Sequence, residues 1–99
     1  MTQVRFDWNR FKDKANLKNH GVSFDEAKTV FYDENAIEFY DHEHSTGEDR
    51  FLIIGLSFKL RLLLVSYTVS EGKDEDIIRI ISSRKPTKNE QKIYFERLR

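Results

Sequence analysis

KANLKNHGVSFDEAKTVF, residues 14–31, holds a helix ending, a tight turn and a helix start with nothing to spare between them. Gly21 stands where a left-handed residue closes a helix, and Lys18 and His20 ahead of it suit the negative end of the helix dipole. Ser23 and Glu26 have the Ser-x-x-Glu spacing of a capping box, with Val22 and Ala27 placed as a hydrophobic staple. Phe24, Ala27, Val30 and Phe31 give the second helix an apolar stripe. The stretch predicts two short helices meeting at a corner fixed by Gly21. Such a corner can be purely architectural, but it also gathers Lys14, Lys18 and His20 in one place.

Upstream, Val4-Arg5-Phe6-Asp7-Trp8 alternates apolar and polar, the pattern of a strand with Val4, Phe6 and Trp8 inward. Asn9 can cap a helix running to about residue 20 that buries Phe11 and Ala15, with Leu17 beside them. Downstream, an Asp33-Glu34-Asn35 turn leads to a strand over 36–40 and a polar loop over 41–49 that contains Gly47. Residues 51–57 and 61–68 form a hairpin around Lys59, and an acidic turn over 71–76 leads to a strand over 77–83. Pro86 and Thr87 introduce a last helix over 88–98, with Ile93 and Leu98 inward. The order β-α-α-β-β-β-β-α predicts a single α+β domain over residues 1–99. Its antiparallel sheet of four to five strands carries two N-terminal helices and one C-terminal helix.

LIIGL, LLLVSY and IIRIIS are apolar at both parities, so both faces of the sheet need cover. The helices cover one face. For the other, the reading favours a protein partner over the last helix, and an isolated chain that self-associates.

The composition excludes some chemistry. With no cysteine, disulfides, thiol nucleophiles and thiolate metal sites are ruled out. No apolar run resembles a signal peptide or reaches membrane-spanning length, so a cytoplasmic location with no membrane contact is expected. The formal net charge is zero but segregated. Arg5, Arg10, Lys12, Lys14 and Lys18 crowd the start, Arg84, Lys85, Lys88, Lys92, Arg97 and Arg99 the end, and residues 33–49 are acidic with no Lys or Arg. Basic termini on an otherwise balanced chain form a surface suited to a polyanion.

Arg79 sits in the middle of IIRII, where arginine needs a partner. It either forms a structural ion pair with an acid such as Glu38 or Glu48, or is held for a phosphate. Strand parity sends Arg79 and Arg84 to opposite faces unless the strand ends or bulges between them.

These residues, taken in order, carry a resemblance. Phe6-Asp7-Trp8, Lys14-x-Asn16-x-x-x-His20-Gly21-Val22-x-Phe24-x-Glu26-Ala27 and Phe31 are followed by Glu48-x-Arg50, Gly55, Arg61-Leu62-Leu63 and Val65-x-Tyr67-Thr68. Arg79-Ile80-Ile81-Ser82-x-Arg84 and Glu90-x-x-x-Tyr94 complete the set. In order and spacing the sequence resembles the BrnT family of toxins from bacterial type II toxin–antitoxin modules. The resemblance implies a RelE-like fold, an endoribonuclease that cleaves messenger RNA and arrests translation, and neutralisation by a cognate antitoxin of the BrnA kind. A homodimer or a heterotetramer with the antitoxin is the assembly it suggests. Because the RelE relationship is one of fold, RelE active-site residues do not transfer.

For such a reaction the expected chemistry uses no metal and no other cofactor, because metal nucleases gather several carboxylates around divalent ions. The substrate's own 2′-hydroxyl attacks the phosphate, which asks for cations on the non-bridging oxygens and groups to move two protons. Arg79 and Arg84 suit the cations, and His20 the proton transfer, unless it only bonds the last carbonyls of its helix. Tyr94 or Tyr67 can supply a phenol or a stacking ring, and Lys14, Lys18, Arg61, Lys85 and Lys88 can hold the RNA backbone. Asp41-His42-Glu43-His44 suggests a metal site, but it reads more simply as a solvated acidic turn. The competing function is a regulatory module that binds RNA or DNA with a protein partner and catalyses nothing.

Overall fold

The computed structural model describes residues 3–99. The Gly21 corner forms as its residues dictate. Helix α1 (Arg10–His20) starts at Asn9, whose Oδ1 accepts from the backbone N–H of Phe11 and Lys12 at 2.8 and 3.1 Å. It ends at Gly21, whose φ of 70° lets its N–H reach the carbonyl of Leu17 at 2.9 Å. Helix α2 (Phe24–Thr29) follows at once and runs into a 3-10 turn at Val30–Tyr32.

The strands are β1 (Gln3–Asp7), β2 (Ile37–Tyr40), β3 (Phe51–Leu56), β4 (Leu62–Glu71) and β5 (Glu75–Arg84), and helix α3 (Lys88–Arg97) closes the chain. They form a five-stranded sheet in the order β1-β5-β4-β3-β2. The domain is α+β, with β2 to β5 antiparallel as expected. β1 enters parallel to β5, so the sheet is mixed.

The corner packs on one face. Val22, Phe24, Ala27 and Val30 meet Ile53, Leu63, Val65, Tyr67 and Ile80, with Phe6, Trp8, Phe31 and Phe51 around them. Gly55 lies beneath this layer because nothing larger fits. A Cβ there would stand 2.9 Å from Val30 Cγ1 and 3.0 Å from Ala36 Cβ.

Three expectations are corrected. First, α1 does not bury Phe11, Ala15 or Leu17, and Phe11 is 71% exposed. The helix is held instead by the buried amide of Asn16. Its Nδ2 donates to the carbonyls of Val22 and Ser83, at 2.9 and 2.8 Å, and its Oδ1 accepts from Ser83 N–H at 3.0 Å. Second, part of the other face of the sheet, over β3 and β4, is covered from within the chain. Tyr94 of α3 packs there against Ile54 and Leu64, with the partly buried Phe39, Leu52, Leu56 and Leu62 beside it. Third, Ile93 and Leu98 stay exposed, so Tyr94 is the inward residue of α3. Its hydroxyl donates to Asp33 Oδ2 at 2.7 Å, which ties α3 to the turn before β2.

The capping box at Ser23 is half formed. Ser23 Oγ accepts from Glu26 N–H at 3.1 Å, but the Glu26 carboxylate turns inward, 1% exposed, to meet Arg61 and Ser57. A complete box forms at Thr87 and Glu90.

Candidate functional site

β5 decides where the charges go. Thr68 pairs with Arg79, Tyr67 with Ile80, Ser66 with Ser82 and Leu64 with Arg84, and the register shifts between Ser66 and Tyr67. Ile81 is therefore the extra residue of a β-bulge. Thr68 and Leu64 are four residues apart on β4 and share a face, and cross-strand partners share the face of their pair. Arg79 and Arg84 thus lie on one face, the one that α3 leaves open beyond Tyr94. They are spaced roughly 15 Å along the strand.

On that face lies an open groove of about 560 Å³. Leu52 and Leu64 form its floor, Ser66, Ser82 and Arg84 one wall, and Tyr40 with the loop after β2 the other. The loop is pinned at both ends. Asp41 N–H donates to the Arg50 carbonyl at 2.9 Å, Ser45 Oγ donates to the Asp41 carbonyl at 2.6 Å, and Arg50 N–H donates to Ser45 Oγ at 2.9 Å. Within it, His44 Nδ1 lies 2.9 and 3.2 Å from the two oxygens of Asp41, and His42 packs edge-on against Tyr40. Among the described residues Arg50 lines the groove with no ion-pair partner.

Arg84 meets Glu90 in a two-pronged pair, Nη1 to Oε1 at 2.8 Å and Nη2 to Oε2 at 3.1 Å. The Arg84 guanidinium holds the Glu90 carboxyl down to about 2, against the opposing effect of burial, with help from Thr87 N–H. Arg79 Nη1 reaches Asp7 Oδ2 on β1 at 2.7 Å, both side chains nearly half exposed. The partner is neither Glu38 nor Glu48, because parallel pairing sets Asp7 directly beside Arg79.

The other residues singled out in the sequence are dispersed. His20, Lys14 and Lys18 are exposed on α1, which packs on the opposite face, and no hydrogen bond joins His20 to Arg79 or Arg84. Tyr94 is buried against Asp33, and burial and that bond push its hydroxyl up to about 12. Tyr67 is buried in the main core, its hydroxyl donating to Glu38 Oε2 at 2.9 Å and likewise pushed up by burial first. Arg61 is engaged by Glu26, with Nε to Oε2 at 2.7 Å and Nη2 to Oε1 at 2.6 Å. Lys85 and Lys88 are exposed at the entry to α3.

The model of a family described as the ribonuclease toxin BrnT of type II toxin–antitoxin systems matches residues 8–90. The chain belongs to the BrnT family. Its backbone is similar to the 1.1 Å crystal structure of the Brucella abortus ribonuclease toxin BrnT, with a TM-score of 0.62 and 20% identity. The match covers 88% of this chain and all of that one. Among curated proteins, none matches the chain in sequence.

For a BrnT chain, the sequence reading missed the polar groove. Asp41 and His44 carried a signal in their three-residue spacing, which lets a carboxylate meet an imidazole within one turn. Nothing in the sequence announced that Arg50 has no ion-pair partner among the described residues.

Proposed function

We propose that this chain is an endoribonuclease toxin that cleaves messenger RNA in the groove beside α3, without a divalent metal. A protein antitoxin encoded beside it neutralises it. The observation that carries the reading is the bulge at Ile81, which brings Arg79 and Arg84 to one face. A charged track along one strand matches a polyanion that lies across the sheet, rather than one phosphate gripped by converging side chains. Asp7 engages only one of the five N–H donors of Arg79, so the others remain for phosphate oxygens.

The chemistry asked of the site is modest. The 2′-oxygen bonds to phosphorus while the bond from phosphorus to the 5′-oxygen breaks, giving a 2′,3′-cyclic phosphate and a 5′-hydroxyl. Guanidiniums stabilise the charge that builds on the non-bridging oxygens. Two of the groove's carboxylates, Asp41 and Glu90, are already engaged by His44 and Arg84, which supports a metal-free reaction. Lys85 and Lys88 are placed to hold flanking phosphates near α3.

The test is cleavage of a mixed-sequence RNA by purified protein in excess chelator. Cleavage is expected to persist, and Arg84→Ala to lower it by about 10²- to 10³-fold, the usual effect of removing one charge-stabilising donor. Loss of cleavage in chelator, restored by one metal, would sink the metal-free reaction. Binding without cleavage by the unaltered protein would place the chain among regulatory modules.

A further inference from the structure

We infer that His44 is the general base of the groove and that Asp41 positions it; this rests on the groove being where RNA is cleaved. Asp41 is 9% exposed, closed in by its loop, and its carboxylate is turned onto Nδ1 of His44. The same carboxylate accepts the backbone N–H of His44 at 3.3 Å, which holds the backbone of His44 beside it. With Nδ1–H donating to Asp41, the neutral ring has its proton on Nδ1, and Nε2 is left as an acceptor. The side chain of His44 is 62% exposed and lines the groove, so that acceptor is accessible to a ligand.

No other described histidine has this arrangement. His20 lies on α1 against the opposite face, and the ring of His42 packs on Tyr40 with no carboxylate hydrogen-bonded to it among the described residues. The charged groups that line the groove with His44 are Asp41 and Glu43 on its own loop, Arg50 at the loop's end, Arg84 on β5 and Glu90 on α3, and the same loop also carries Glu48 and Asp49. Arg84 is shared with Glu90, whereas among the described residues Arg50 has no ion-pair partner, so Arg50 is the cation most free to draw a phosphate toward the imidazole.

The step balances. His44 Nε2 takes the proton of the 2′-hydroxyl as the 2′-oxygen bonds to phosphorus. The bond to the 5′-oxygen breaks, and water in the open groove protonates that oxygen. His44 then returns its proton to solvent.

The experiment measures RNA binding and RNA cleavage separately for the purified chain, His44→Ala, Asp41→Asn and Arg50→Ala, each checked for an unchanged thermal transition. A 2′-O-methylated RNA of the same sequence serves as the binding probe, because it cannot be cleaved through its 2′-oxygen. His44→Ala is expected to bind as the unaltered chain does and to cleave about 10²- to 10⁴-fold more slowly. Added imidazole should restore part of that rate, a rescue that loss of a merely structural residue would not show. Asp41→Asn should lose less than His44→Ala and gain nothing from imidazole, while Arg50→Ala should weaken binding. Cleavage by His44→Ala within twofold of the unaltered rate would overturn the assignment and leave the proposed function standing. An unaltered chain that binds or cleaves no RNA would overturn both.

Discussion

Replacing Arg61 by methionine removes the main partner of a carboxylate buried in the protein. Glu26 is 1% exposed and accepts from Arg61 Nε and Nη2 and from Ser57 Oγ at 2.7, 2.6 and 2.7 Å. Lys59 Nζ stands 3.8 Å away, on a side chain that is 56% exposed. Removing one member of a buried pair costs about 3–5 kcal/mol, because the other charge is left unpaired. Arg61 is 31% exposed and Ser57 still donates after the change, which points to the low end, about 3 kcal/mol. A domain of this size has about 5–15 kcal/mol in total, so the variant folds, with its Tm lowered by about 12–24 °C.

The pH dependence gives a second signature. The Arg61 hydrogen bonds hold the Glu26 carboxyl below its ordinary 4.5, against the upward push of burial. Its stabilisation is therefore present above 4.5 and is lost as pH falls through the lower folded value. In Arg61→Met burial prevails, the folded value rises, and protonation relieves the unpaired charge. Urea denaturation at pH 7 and pH 4 should show a gap between variant and parent that narrows on the acid side. A gap below about 1 kcal/mol that does not change with pH would refute the reasoning, since that is how an exposed pair behaves. Arg61 would then be free to meet RNA.

Gly55→Ala sets a methyl 2.9 Å from Val30 Cγ1 and 3.1 Å from Asp33 Oδ2, and overpacking of this kind should cost about 1–3 kcal/mol in urea denaturation. Asn16→Ala strands the Ser83 N–H and the Val22 and Ser83 carbonyls in a buried place. It should cost about 3 kcal/mol and speed amide exchange at Ser83. Glu90 is held down to about 2, so its pairing stabilises the fold above 4.5 and that contribution is lost as pH falls toward 2. Glu90→Gln should therefore flatten the fall in Tm across that window while freeing Arg84 to bind RNA more tightly.

Much of the fold was legible because local chemistry and tertiary packing agree. Gly21 closes α1, Ser23 opens α2, Thr87 opens α3, and three apolar runs become β3, β4 and β5. The family was legible too, from spacing along the chain. What escaped depends on contacts made far apart. Ile81 sits in a β-branched run with no glycine or proline to mark a bulge, and only its pairing with β4 reveals the extra residue. Asn16 anchors α1 through backbone groups 6 and 67 residues away, so the apolar stripe of Phe11 and Leu17 pointed to the wrong face. Glu26 carried a capping-box spacing, yet an arginine 35 residues on captures its carboxylate. The cover of the second face was ambiguous because it rests on one buried tyrosine of a mostly polar helix, which covers part of that face.

The central claim is that RNA lies on the face that carries Arg79 and Arg84. The most direct measurement is backbone amide NMR of the labelled chain titrated with 2′-O-methylated RNA. The account predicts shifts at His44, Arg50, Ser66, Ser82 and Arg84, reaching Arg79, and fading across the face that α1 and α2 cover. Shifts confined to Lys14, Lys18 and His20, with the groove unmoved, would contradict it.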